Sequence, residues 1–145
     1  MNKSNKNRSK LLLNRIYEIL NKKIKNKKIT FLGVTFKPNT DDMREASSIP
    51  MMNFLSKKKC KIRYFDPSGE KKELSKIKNV KFYKSISSAC FKSDLIIIHT
   101  EWNVFKLLNF KNLVKKKNFS IYDMRNIYSP IKMKQMKIRY FGVGR

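Results

Sequence analysis

Glycine is scarce here, with 4 residues in a chain of 145. No Gly-x-Gly-x-x-Gly follows any apolar run and no Gly-x-x-x-x-Gly-Lys occurs, so the turn by which a backbone approaches a dinucleotide pyrophosphate is missing. Cysteine is nearly absent too. Cys60 and Cys90 have neither paired nor metal-ligand spacing and His99 is the only histidine, which argues against a zinc site. Both cysteines fall inside structured segments and read as small core residues, not as activated nucleophiles. His99 closes an apolar run with no evident Ser or Cys partner, so no triad is expected. Reduced thiols in the cytoplasm are the matching expectation. Long hydrophobic runs are missing as well: Leu11–Leu13 is too short for a signal peptide, and Leu95–Ile98 cannot span a bilayer. A soluble protein follows, with no redox chemistry of its own.

Acids are few, 10 Asp and Glu against 35 Lys and Arg, and the net charge is +25. Such a surplus steers a protein toward phosphate backbones. Yet the cations are 28 Lys to 7 Arg, beside 14 Asn, 15 Ile and 2 Ala. Lys, Asn and Ile share adenine- and thymine-rich codons, and the lysines are scattered along the chain instead of gathered on one element. The surplus is therefore read as compositional bias, and nucleic acid is not expected as a partner. What remains is one ordinary domain with a hydrophobic fraction of 41%, enough for a packed core.

Leu11, Leu12, Ile16, Ile19 and Leu20 recur at helical spacing and predict an amphipathic helix over about residues 9–23, after a polar start over residues 1–9. Strands are expected at Lys28–Val34, Cys60–Phe65, Val80–Tyr83, Leu95–Thr100, Phe119–Asp123 and Ile138–Val143. Between them, helices are expected at about 46–58, within 70–77, at Ile86–Lys92 with Ser85 as cap, at 104–116 on Phe105, Leu107, Leu108 and Leu113, and at 130–136. Strand and helix alternate throughout. The class is α/β with a mainly parallel sheet, preceded by the N-terminal amphipathic helix.

Ligands of such sheets collect beyond the carboxyl ends of the strands. Three segments should meet there: the Phe36–Arg44 loop after the first strand, Glu101–Trp102 after the fourth and Arg125 after the fifth. Lys37 and Arg44 offer cations near a helix start, where anions bind, and Arg125 carries a planar fork suited to a diphosphate. Asp41, Asp42 and Glu45 are expected to favour the helix start and hold these cations, and Trp102 to pack.

The run Gly33-Val-Thr-Phe-Lys-Pro-Asn-Thr-Asp-Asp-Met-Arg-Glu-Ala-Ser-Ser48 closely resembles the signature opening the C-terminal domain of UDP-glucose 6-dehydrogenases and their GDP-mannose and UDP-N-acetylmannosamine relatives. Tyr64-Phe-Asp-Pro67, Thr100-Glu-Trp-Asn-Val-Phe105, Asp123-Met-Arg125 with Asn126, and Gly142-Val-Gly-Arg145 agree in the same order. Asn2, Lys6 and the Leu11–Leu20 helix resemble the segment that joins the family's central helix to this domain. The resemblance implies a linker helix over residues 1–26 and a Rossmann-like three-layer domain over 27–145 that binds a UDP-sugar. By the same resemblance, Phe36 and Lys37 contact substrate, Arg125 binds the sugar nucleotide, and Arg44 reaches the NAD held mainly by another domain. The full enzymes oxidise the sugar's C6 alcohol to a carboxylate in two hydride transfers, through a cysteine nucleophile.

Cys60 and Cys90 match no such nucleophile, and the stretch resembles only the family's last domain. The implied partner is an N-terminal dehydrogenase domain on another chain, with this one binding a UDP-sugar weakly and turning nothing over alone; a truncated gene product is the other expectation. Thr100-Glu-Trp with Phe105 favours the UDP-glucose branch over GDP-mannose. A non-catalytic basic module for nucleic acid or anionic surfaces is the alternative from a different class.

Overall fold

The computed structural model describes residues 3–144, with side chains from Lys10 onward; Asn2, the side chain of Lys6 and Arg145 lie outside them. Six strands form one sheet in the order β3-β2-β1-β4-β5-β6, and every neighbouring pair is parallel. The strands are β1 (Lys28–Leu32), β2 (Lys61–Phe65), β3 (Val80–Phe82), β4 (Leu95–Ile98), β5 (Ser120–Asp123) and β6 (Arg139–Gly142). Between or before them lie α1 (Lys3–Ile19), α2 (Ser48–Lys57), α3 (Lys72–Ser75), α4 (Ile86–Cys90), α5 (Phe110–Val114) and α6 (Pro130–Gln135).

Two-residue periodicity splits the interior into two layers. Leu95 and Ile97 join Ile29, Phe31, Ile62 and the inner faces of α1, α2 and α3 in one core. Ile96 and Ile98 join Leu32, Ile121 and residues of α4, α5 and α6 in the other. A strand buried on both sides has no polar face to show, which is why β4 reads as an unbroken Leu-Ile-Ile-Ile. Order reverses between β1 and β4, so the crevice above these central strands is where a ligand can enter.

The helices differ from expectation at two places. The first helix extends upstream to Lys3, since no Gly or Pro precedes Lys10 to stop it, and ends at Ile19, because Asn21 and Lys22 take left-handed φ values of 54° and 62°. The expected 104–116 helix is two pieces: a 3-10 turn at Asn103–Phe105, then α5. Asn109 restarts it by accepting from Asn112 N at 3.3 Å, a capping habit that disfavours asparagine in helix interiors. Leu107, counted above toward the apolar spacing of that helix, is 97% exposed in the gap. Ser85 and Ser129 cap α4 and α6 in the same way, from Ser88 N and Lys132 N. No described helix is long and apolar enough to cross a membrane.

Candidate functional site

The three corners meet. Arg125 leaves the end of β5 and donates Nε to the carbonyl of His99 at 2.9 Å and Nη2 to the carbonyl of Phe36 at 3.2 Å. Its Nε also lies 3.5 Å from Glu101 Oε2. One guanidinium thus ties the turns after β1, β4 and β5 together, and it is only 27% exposed. Asp123, buried at the end of β5, positions it by accepting from Arg125 N and Tyr128 N at 3.1 Å each and from the Tyr140 hydroxyl at 2.7 Å.

The turn after β1 is equally constrained. Gly33 has φ +79°, and a Cβ there would lie 2.6 Å from Thr100 Cβ, so only glycine lets β1 pass this close to the end of β4. Asp66, buried after β2, accepts from Val34 N and Ser68 N at 2.8 Å, joining two turns. Thr100 donates its hydroxyl to Thr35 O at 2.7 Å, and Ser48 donates to Val34 O at 2.6 Å. Asn39 and Glu45 hold left-handed φ values of 64° and 60° farther along the loop.

His99 does have a serine partner, contrary to expectation. Its Nε2 lies 2.9 Å from Ser47 Oγ and its Nδ1 2.9 Å from Thr100 Oγ1. Thr100 gives its own proton to Thr35, so Nδ1 carries the imidazole proton and Ser47 donates to Nε2. Complete burial, with the charge of Arg125 adding to it, lowers the His99 pKa to about 3. A base that weak does not activate a serine, and the Nδ1 side meets a hydroxyl where a triad needs a carboxylate. The pair is a strut. It also engages the Ser47 hydroxyl, and α2 starts without a side-chain cap at Ser47.

Above these groups lies a groove of about 1130 Å³. Ser47, His99 and Arg125 bring polar side chains to its lining, Phe36 an aromatic ring, and Leu11, Leu12 and Arg15 the contribution of α1. Phe36 is 48% exposed into this region, and Leu11 69%. Lys37 and Arg44 are exposed on the same loop but are not among the lining residues. Arg44 folds back on Asp42, donating Nε and Nη2 to its carboxylate at 2.9–3.2 Å, and that bond lowers the Asp42 pKa to about 2. Trp102 packs against the second core. The α1 wall and the His99–Ser47 strut carried no sequence signal as site features: the first reads as an ordinary amphipathic stripe, the second spans 52 positions.

Neither cysteine belongs here. Cys60 and Cys90 are fully buried, and burial pushes their thiols up to about 11 and about 12. Both remain protonated and unreactive at neutral pH.

An all-parallel sheet of this order, with a crevice carrying Arg125 at its switch point, defines a Rossmann-like domain whose ligand site lies at the carboxyl ends of its strands. Residues 30–130 match the UDP-glucose/GDP-mannose dehydrogenase family, UDP binding domain. The chain belongs to that family and is its UDP-binding part. It is 38% identical over 146 residues to the UDP-glucose 6-dehydrogenase of Rickettsia felis, covering 98% of this chain and 32% of that protein. The corresponding figures for the UDP-glucose 6-dehydrogenase of Rhizobium meliloti are 32% identity, 97% and 32%. The chain therefore spans about a third of the length of the curated relatives it matches. In fold it is similar to a UDP-glucose dehydrogenase from Pyrobaculum islandicum (TM-score 0.74, 21% identity, 93% of this chain and 29% of that one). It is likewise similar to an NDP-N-acetyl-D-galactosaminuronic acid dehydrogenase from Methanosarcina mazei (TM-score 0.77, 23% identity, 95% and 29%).

Proposed function

We propose that this chain holds UDP-glucose in the groove above β1, β4 and β5, as the substrate-binding part of an NAD-dependent oxidation of UDP-glucose to UDP-glucuronate. Arg125 binds the diphosphate, Phe36 and Lys37 meet the substrate, and Arg44 turns from Asp42 toward the cofactor. The pair it leaves is fully solvated and weak, so the swing is easy. The observation that carries this reading is the grip on Arg125: two carbonyls and a carboxylate from the turns after β1 and β4 hold one planar fork, itself on the turn after β5, beside the groove. The amino end of α2, which lines the groove through Ser47, Ile49 and Pro50, adds partial positive charge on the same side.

NAD does not fit the chain's own residues as a principal site. Gly33 is followed by Val34 and Thr35 where a dinucleotide turn needs a second glycine, and the buried Thr35 hydroxyl bonds to Lys37 O at 2.9 Å. A dehydrogenase domain carrying the cofactor site and the nucleophile is the partner this reading calls for, joined through residues 1–26 or supplied by another chain. Two buried thiols suit the reducing cytoplasm, where such a reaction would run.

Titration calorimetry tests the binding. UDP-glucose and UDP should both give saturable heat, and Arg125→Ala should weaken both about a hundredfold, the scale of a lost charge-assisted bidentate contact. Absence of heat with either nucleotide would sink the assignment. Mixing with a matching cofactor domain and following NADH absorbance tests the reaction itself.

A further inference from the structure

Lysine is scattered along the sequence, but the sheet gathers it. All strands of a parallel sheet begin at one end, so every segment feeding a strand is delivered to the same pole. Lys27 leads into β1, Lys59 into β2, Lys78 into β3, Lys92 into β4, Lys117 into β5 and Lys137 into β6. All but the half-buried Lys27 are exposed. Register keeps the strand starts level: Lys28 lies opposite Lys61, Leu95 opposite Ser120, and Ser120 opposite Arg139. At ~4.8 Å between strands, this pole is roughly 24 Å wide.

The acids sit elsewhere. Of the 10, only Glu18 and Asp94 belong to the lysine pole, and Asp94 is held by Lys116 Nζ and Lys28 N. The others follow the carboxyl ends of β1, β2, β4 or β5. Lys59, Lys92, Lys115 and Lys137 moreover take left-handed φ values of 64°, 60°, 51° and 59°, positions that favour glycine; each such turn keeps a cation in a backbone conformation L side chains avoid. Two apolar side chains protrude from the same pole. Phe91 and Met136, each 47% exposed, stand in the turns leading into β4 and β6, with Lys92 Nζ 5.6 Å from the Phe91 ring centre.

We propose that this pole docks on an anionic lipid bilayer, its lysines against the headgroups and Phe91 and Met136 set into the acyl boundary. Lysines around exposed apolar tips are the chemistry of a bilayer surface. A polynucleotide reader would offer arginine forks and aromatic platforms. Among the described residues, Arg139 at the start of β6 instead donates to Ile19 O and Ser120 Oγ, and Arg63 of β2 donates to Ser93 Oγ. Docked this way, the groove at the opposite end of the strands faces the solvent and stays open to its ligand.

Co-sedimentation with vesicles tests the proposal: phosphatidylcholine alone, or phosphatidylcholine with phosphatidylserine, with the Lys59→Glu/Lys78→Glu/Lys117→Glu chain beside the parent. Binding should require phosphatidylserine, fall with salt, and drop about a hundredfold in the triple variant. The mirror variant Lys72→Glu/Lys84→Glu/Lys106→Glu, with the same net charge but changed at the other pole, should bind within twofold of the parent. Phe91→Ser with Met136→Ser should weaken binding several-fold. All six lysines are exposed, and a matched circular-dichroism melt confirms that each variant folds. Equal loss in both triple variants would overturn the proposal, because total charge and not its placement would then govern binding. Single-stranded RNA that displaces the protein from vesicles with no effect of the Phe91 and Met136 changes would overturn it in favour of nucleic acid.

Discussion

The two ends of the sheet solve opposite problems with the same strands. At the carboxyl ends, polar groups are buried and satisfy one another: Asp66 and Asp123 hold backbone amides, His99 is locked between two hydroxyls, and Arg125 grips two carbonyls. At the amino ends, the polar groups are lysines, mostly facing water with few partners. Buried polar networks fix geometry and fail sharply when one member is lost, whereas exposed charges act collectively and tolerate individual loss. The difference teaches that the first pole is built for a shaped small ligand and the second for an extended surface.

That contrast can be broken most severely at Gly33. Gly33→Ala puts a Cβ into Thr100 and forces an L residue to φ +79°, so stability should fall by about 3 kcal/mol in a urea unfolding curve. Arg125→Ala is the next largest change: a hundredfold loss of UDP-glucose affinity with vesicle binding unaltered, which separates the poles functionally. The third effect is pH. His99 has a folded pKa near 3 against an ordinary 6.5, so the unfolded chain takes up the proton first. Its contribution is present in full above pH 6.5 and is lost as pH falls toward 3, about 2 kcal/mol of it by pH 5. The His99→Gln chain should show a flatter melting-temperature profile across that window. The smallest change runs the other way. Lys59→Gly, Lys92→Gly, Lys115→Gly or Lys137→Gly should each stabilise by roughly 1 kcal/mol by relieving a left-handed turn, measured in the same unfolding assay. None should alter nucleotide binding.

Most of the fold was legible because burial on two faces leaves a direct trace. Leu95–Ile98 had to be an interior strand, and the alternation of strand and helix gave the class. The meeting of Phe36, Glu101 and Arg125 was legible too, since parallel strands bring their carboxyl ends together. Three features were not. Asn109 interrupts a run whose leucine spacing is helical, because a capping side chain outweighs periodicity in a short segment. Ser47 read as part of a helix start, and its true partner depends on β4 lying beside β1, which pairing and not sequence decides. The lysines looked dispersed because their convergence is a property of strand direction, invisible to any local window.

Arg125 holds main-chain oxygens at Phe36 and His99, not their side chains. The exposed Phe36 ring can therefore be exchanged without removing its main-chain contact, while the His99 ring stays fixed as a strut. Mutation has room to reshape the Phe36 wall of the crevice while Arg125 stays in place. If Arg125 binds the diphosphate as proposed, sugar preference and phosphate affinity are separately evolvable on the Phe36 side of the crevice, where the guanidinium meets main chain alone.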